Sequence, residues 1–144
     1  MKTIRQILDK KGPSVWSVGP DAPVLDAIRY MAQKNVGAVL VMKGDDILGI
    51  FSERDYARKV ILQGRYSKDT PVRDVMTASV LCVSPENTVQ EAMALMTDKH
   101  IRHLPVLDKG VLAGFVSIGD LVKAIIEDQQ FVIEQLGNYI NTRW

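Results

Sequence analysis

The sequence predicts an α/β (α+β) fold in which one β-α-β-β-α unit occurs twice, the copies related by a pseudo-twofold axis. A short helix precedes the pair and a long helix ends it. Three observations predict this. Residues 14–56 align without a gap to residues 79–121, with Val15/Val80, Pro20/Pro85, Ala27/Ala92, Met31/Met96, Val41/Val106 and Gly49/Gly114 identical. Self-similarity at one displacement marks a repeated supersecondary unit that buries its apolar face against its twin. Val24, Ala27, Ile28 and Met31, matched by Val89, Ala92, Met93 and Met96, recur at the i, i+3, i+4, i+7 spacing of a helix. The apolar runs around Gly49 and Gly114 are short and bounded by turn residues, as buried strands are.

Taken in order, Ile4, Ile7 and Leu8 give a helix over 3–11, stopped by Gly12-Pro13. This opening is echoed, since Ile4-Arg5-Gln6-Ile7-Leu8 resembles Val72-Arg73-Asp74-Val75-Met76. Each lead-in helix is therefore expected to go with the copy it precedes, dividing the chain into 1–70 and 71–144. Short strands are expected at 16–18 and 81–83. Pro23, at a first helical position, opens one helix, and Thr88 with Glu91 makes a capping box for its counterpart. Two strands follow in each copy, 38–42 with 47–51 and 104–107 with 111–116. Gly44-Asp45-Asp46 and Asp108-Lys109-Gly110 supply the hairpin turns. Pro105 is expected to limit pairing at a strand end. His100 aligns with Asn35 as a helix end, where Lys34 and Lys99 suit the dipole. Between the copies, 62–70 is a polar loop, and Thr70-Pro71 reads as an N-cap with proline just inside the next helix. Beyond Asp120 an apolar stripe of Leu121, Ala124, Ile125, Ile126, Val132, Ile133 and Leu136 predicts a long last helix suited to self-association.

Each copy carries glycine, two apolar residues, serine, and an aspartate three positions on: Gly49, Ser52, Asp55 and Gly114, Ser117, Asp120. The strand is expected to turn into a helix there, with serine as N-cap and aspartate in the first turn. Two readings fit. A helix start offers free N–H groups and a positive dipole end to phosphate, and the carboxylate can accept from both hydroxyls of a ribose. Together these make a nucleotide site in duplicate. Ser-x-x-Asp is equally a capping box, which needs no ligand.

Composition narrows the classes. The 144 residues suffice for one well-cored domain or two small halves, and 47% hydrophobic with 24% charged residues is ordinary for a globular protein. A net charge of +1 without a basic block argues against nucleic acid. Cys82, alone and in an expected strand, excludes an internal disulfide framework and reads as a buried, inert thiol. No apolar run approaches a membrane span, and the charged start of the chain does not read as a signal peptide, so a cytoplasmic location is expected. Two histidines, one cysteine, and neither HExxH nor P-loop argue against an enzyme and against a metal site.

The duplicated order, the two Gly-x-x-Ser-x-x-Asp motifs, Asp74-Val75-Met76-Thr77 and the run from His100 through Arg102, His103 and Pro105 to Val106 resemble a tandem pair of cystathionine-β-synthase (CBS) domains, a Bateman module, over residues 4–124. The resemblance implies a regulatory module binding adenosine-containing ligands in clefts between the repeats, with aspartate on the ribose hydroxyls and serine by the ribose and phosphate. It implies that adenine lies against backbone near the first strand of a repeat, and that the start of the second strand of the opposite repeat faces the phosphates. Carried over, one cleft takes Ser17, Val18, Ser52, Arg54 and Asp55 with Arg102 and His103. The other takes Cys82, Val83, Ser117 and Asp120 with Gly37 and Ala38. Gly119 stands where the first cleft has Arg54, so the Asp55 cleft is expected to bind phosphate more strongly. An arginine beside His103 favours the neutral imidazole. Arg65 and Lys68 are placed to reach a dinucleotide. AMP or NAD suits the cationic cleft better than the positively charged S-adenosylmethionine, with ATP a further choice. A flat, disc-like homodimer and a downstream protein partner complete the implied picture, without nucleic acid or membrane. The alternative is a structural or interaction protein with vestigial clefts acting through its last helix.

Overall fold

Duplication is visible in the backbone of the computed structural model, which describes residues 2–129. The elements are α1 (Ile4–Lys11), β1 (Ser17–Val18), α2 (Val24–Lys34), β2 (Ala38–Lys43), β3 (Asp46–Ser52) and α3 (Glu53–Asp55), which runs into a π-helical segment (Tyr56–Ile61). A 3-10 turn (Val72–Asp74), α4 (Val89–Lys99), β4 (His103–Asp108), β5 (Val111–Ser117) and α5 (Ile118–Glu127) follow. Mixed helices and two small sheets make this an α+β fold, as expected. Val132, Ile133 and Leu136 of the expected long last helix lie outside the described residues.

The elements form two compact units, Val15–Leu81 and residues 2–14 together with 82–129. This cut differs from the division at residue 70, because each lead-in is exchanged. Ile4, Ile7 and Leu8 share a core with Val89, Met96, Leu104 and Leu121, whereas Val72 and Val75 share one with Val24, Met31 and Phe51. Backbone bonds hold each lead-in: Ile4 N to Asn87 O at 2.9 Å in one unit, Val72 N to Ala22 O at 2.8 Å in the other. Segments this short are not stable helices alone and settle where a core leaves room for them. A glycine makes that room in both units. A Cβ on Gly114 would stand 2.6 Å from Leu8 Cδ2, and one on Gly49 2.6 Å from Met76 Sδ and 2.8 Å from the Thr77 carbonyl.

Local chemistry accounts for most boundaries. Thr3 with Gln6 and Thr88 with Glu91 form reciprocal capping boxes at α1 and α4. Asn35 and His100 end α2 and α4 in the left-handed region, with φ of 54° and 55°. The hairpin turn at Gly44 has positive φ at that glycine, while the other has it at both Lys109 and Gly110, as two-residue turns matching strand twist require. Two proline readings shift by one position. Pro23 is the N-cap residue of α2, in extended conformation, and not its first helical residue. Pro71 likewise flanks the 3-10 turn, and Thr70 does not cap it, since its hydroxyl donates to the Tyr66 carbonyl at 2.8 Å.

The sheets differ in a way one residue explains. In the first copy β1, β2 and β3 form a three-stranded sheet, with β1 parallel to β2 through Ser17 opposite Leu40 and Val18 opposite Val41. Leu40 N donates to Trp16 O at 3.1 Å. In the second copy Pro105 takes Leu40's place and has no N–H to give. The strand expected over 81–83 is accordingly reduced to a single parallel bridge, Val83 with Val106, beside the antiparallel pair β4 and β5. Outside the first copy's core, Trp16 meets Tyr30 edge-on at 6.3 Å with Lys34 Nζ 4.4 Å from its ring centre.

Candidate functional site

Both copies end their hairpin in the same turn. Ser52, last in β3, pairs with Ala38, and Ser117, last in β5, pairs with His103. Each serine is extended and caps the helix that follows. Asp55 N donates to Ser52 Oγ at 3.2 Å and Ser52 N to Asp55 Oδ2 at 3.0 Å. Asp120 N donates to Ser117 Oγ at 3.2 Å and Ser117 N to Asp120 Oδ2 at 2.8 Å. Both motifs are therefore capping boxes in their own right. The first amide of each helix is engaged as well: Glu53 N donates to Gly37 O at 3.0 Å and Ile118 N to Arg102 O at 2.9 Å. Two of the amides that the sequence offered to phosphate are thus already partnered in each turn, and the first helix is α-helical for three residues before it widens.

Beside each carboxylate stands a lysine that sequence reading missed. Asp55 is buried; its Oδ1 accepts from Thr77 Oγ1 at 3.1 Å and lies 3.1 Å from Lys59 Nζ. Asp120 is half-buried and faces Lys11 Nζ at 2.6 Å, which also donates to the Phe115 carbonyl at 2.7 Å. The i, i+4 spacing of Asp55 and Lys59 is a signal a helix reading could have used. Lys11 gave none, being 109 positions from its partner.

Burial pushes the Asp120 carboxyl upward, but hydrogen bonds from Lys11 and the Ser117 amide, with the lysine's charge, hold it below the usual carboxylate range. The His103 ring stacks on Phe115 with centroids 5.8 Å apart. Burial lowers its pKa first, the Lys11 and Arg102 charges add to that, and Asp120 opposes them. The imidazole is held toward neutrality as expected, with burial and Lys11 ahead of the arginine as causes. As pH falls through the ordinary histidine value of about 6.5, the unfolded chain takes up this proton before the folded one. Stability is whole above that value and declines below it until the folded-state group is itself protonated. Acidifying from about pH 7 to about pH 5 should lower the melting temperature, and His103→Gln should remove part of that fall in a scan across this range. The Asp120 contribution runs the same way but is lost only at pH values below the usual carboxylate range.

The expected site residues divide between the units. Ser17, Val18, Gly37, Ala38, Ser52, Arg54, Asp55, Arg65 and Lys68 belong to Val15–Leu81. Cys82, Val83, Arg102, His103, Ser117 and Asp120 belong to the other unit. Within a unit, Gly37 and Ala38 stand beside the Asp55 turn, and Arg102 and His103 beside the Asp120 turn. Arg65 and Lys68 are exposed. Cys82 is half-buried and outside any strand, which corrects the buried-strand reading; burial pushes its thiol pKa up, so it stays protonated and unreactive at neutral pH. Among the described residues no three His, Cys, Asp or Glu side chains are grouped to hold a metal ion, and no helix is long and apolar enough to cross a membrane.

Comparison with known proteins agrees with the duplicated architecture. The CBS domain family model matches residues 4–62 and 72–127. The mitochondrial CBS domain-containing protein CBSX3 of Arabidopsis thaliana is 44% identical over 149 aligned positions, covering 96% of this chain and 71% of that protein. Among solved structures, a CBS-domain protein of Burkholderia ambifaria superposes with a TM-score of 0.86 at 53% identity, covering 89% of this chain and 96% of its own. The CBS-domain containing protein ATU1752 of Agrobacterium tumefaciens gives 0.84 at 39% identity, covering 87% and 100%. With the family model met twice and a relative matched along nearly its whole length, the chain belongs to the CBS domain family and is a tandem pair of such domains.

Proposed function

We propose that this CBS pair is a non-enzymatic regulatory module that binds adenosine-containing ligands at its two Ser-x-x-Asp turns and passes the bound state to a partner protein. The observation that carries this reading is the turn itself. A carboxylate is fixed by its capping serine at the end of a buried strand, with an ammonium beside it at 3.1 Å in one copy and 2.6 Å in the other. A ribose diol needs such an acceptor, and a phosphate needs such a cation. The CBS domain pair of protein MJ0100, which shares the fold at 17% identity and a TM-score of 0.79, has been solved with 5'-methylthioadenosine and S-adenosylmethionine. Lysines beside both turns favour AMP, ATP or NAD here over a cationic ligand. Backbone at Ser17-Val18 and Cys82-Val83 would take the adenine, and Arg65 and Lys68 the far half of a dinucleotide.

Thermal melting with AMP, ATP, NAD, adenosine and S-adenosylmethionine tests this. A melting temperature that climbs with the concentration of one of them supports the reading, because a ligand bound by the folded state alone stabilises it by mass action. A flat response to all five overturns it. Arg102→Ala is expected to weaken calorimetric AMP affinity about tenfold or more, since a hydrogen bond to a charged group contributes about 1.5–3 kcal/mol. Unchanged affinity would remove Arg102 from the site.

A further inference from the structure

Resting on the reading of the turns as adenosine sites, we propose that Lys11 determines the ligand charge accepted at the Asp120 turn, selecting phosphate-bearing adenosine compounds over uncharged or cationic ones. At the position matching Arg54 this turn has Gly119, which brings no charge. The cation comes from the far end of the chain. Helix α1 is anchored in the core of this unit by Ile4, Ile7 and Leu8 and ends at Lys11; Gly12 then turns away with φ 97°. The lysine is thereby set over the turn, with two of its three ammonium donors on Asp120 Oδ2 and the Phe115 carbonyl. Its side chain remains 36% exposed, so the ammonium is within reach of an entering ligand. A lysine's four-carbon stem lets it swing from carboxylate to phosphate while the backbone stays fixed.

The backbone has less to offer a phosphate here than a bare helix start would. The Ile118 and Asp120 amides are engaged by Arg102 O and Ser117 Oγ. With two first-turn amides already engaged, charge selection at this turn rests mainly on side chains. The Lys11 ammonium is the charge that acts on the Asp120 carboxylate, and turned onto a ligand it attracts an anion and repels a sulfonium.

The test is a site-resolved NMR titration of the whole chain. The Gly119 amide reports the Asp120 turn, and the Arg54 amide reports the Asp55 turn. AMP and adenosine are titrated into the unaltered protein, Lys11→Met and Lys11→Arg. Lys11→Met should weaken AMP about tenfold at Gly119, leave adenosine there unchanged or tighter, and leave the Arg54 response alone. Lys11→Arg should restore AMP binding. Equal losses of AMP and adenosine, or AMP affinity unchanged at Gly119, would overturn the assignment. If neither ligand shifts either amide in the unaltered chain, the adenosine reading itself falls and the role of Lys11 with it. Lys11→Gln gives the same comparison should the methionine variant fail to fold.

Discussion

Gly49→Ala should destabilise the protein by about 3 kcal/mol, clearly more than Gly114→Ala, although both glycines occupy the same motif position. Neither glycine has a backbone conformation that demands glycine, so the effect is steric. At Gly114 the nearest atoms to the added methyl all belong to Leu8, with Cδ2 at 2.6 Å and Cδ1 at 3.0 Å, and a leucine end can rotate aside. At Gly49 it meets Met76 Sδ and also the Thr77 carbonyl at 2.8 Å. That carbonyl cannot retreat cheaply, because it accepts from Ile50 N at 2.9 Å while Thr77 N donates back to Ile50 O at 2.8 Å. Relief requires breaking this two-way bridge, a cost added to the overpacking itself. Urea denaturation of the two variants reads the difference. Equal losses would mean that the second lead-in yields as easily as the first.

Asp55→Ala should cost about 3 kcal/mol without any ligand present, and Asp120→Ala about 1 kcal/mol. Asp55 is 8% exposed and accepts from the Ser52 amide, the Ser52 hydroxyl and the Thr77 hydroxyl, with Lys59 at its other side. Alanine leaves the half-buried Ser52 amide and hydroxyl without their acceptor, although the exposed Thr77 hydroxyl can turn to water, and each unpartnered buried group costs about 1–3 kcal/mol. Asp120 loses a cap as well, but its lysine can return to water, so little of that ion pair is forfeited. Asp55→Asn, which keeps an acceptor for the Ser52 amide, should fall between. Chemical denaturation of the ligand-free variants decides. Matching losses for the two alanine variants would show that burial does not set the cost.

Both aspartates cap their helices whether or not a ligand binds, and this explains why the sequence left both readings of Ser-x-x-Asp standing. Capping is local: serine and aspartate three apart are enough to see it. The same locality made the helix ends at Asn35 and His100 and the hairpin turns legible in advance, whereas Pro105, expected at a strand end, lies inside β4 opposite Phe115 and disrupts the neighbouring parallel strand. What escaped notice depends on partners far along the chain. Lys11 faces Asp120 because α1 packs on the second copy, and nothing in the spacing of Ile4, Ile7 and Leu8 says which copy will receive them. The repeat was misleading here, since it suggested that each lead-in stays with the copy it precedes. The glycines carried a further unread message. Gly49 and Gly114 were visible as motif positions, but their task of admitting Met76 and Leu8 appears once the lead-ins are in place.

The traded lead-ins also determine how the molecule could be divided. Severing the chain after residue 70 would take Val72 and Val75 from the interior around Phe51, and would strand Ile4, Ile7 and Leu8 away from Leu104 and Leu121. Each fragment would carry the plug for the other's hole. Halves made separately should be poorly folded alone yet rescue one another on mixing, because the sequence repeat and the packed unit have different boundaries.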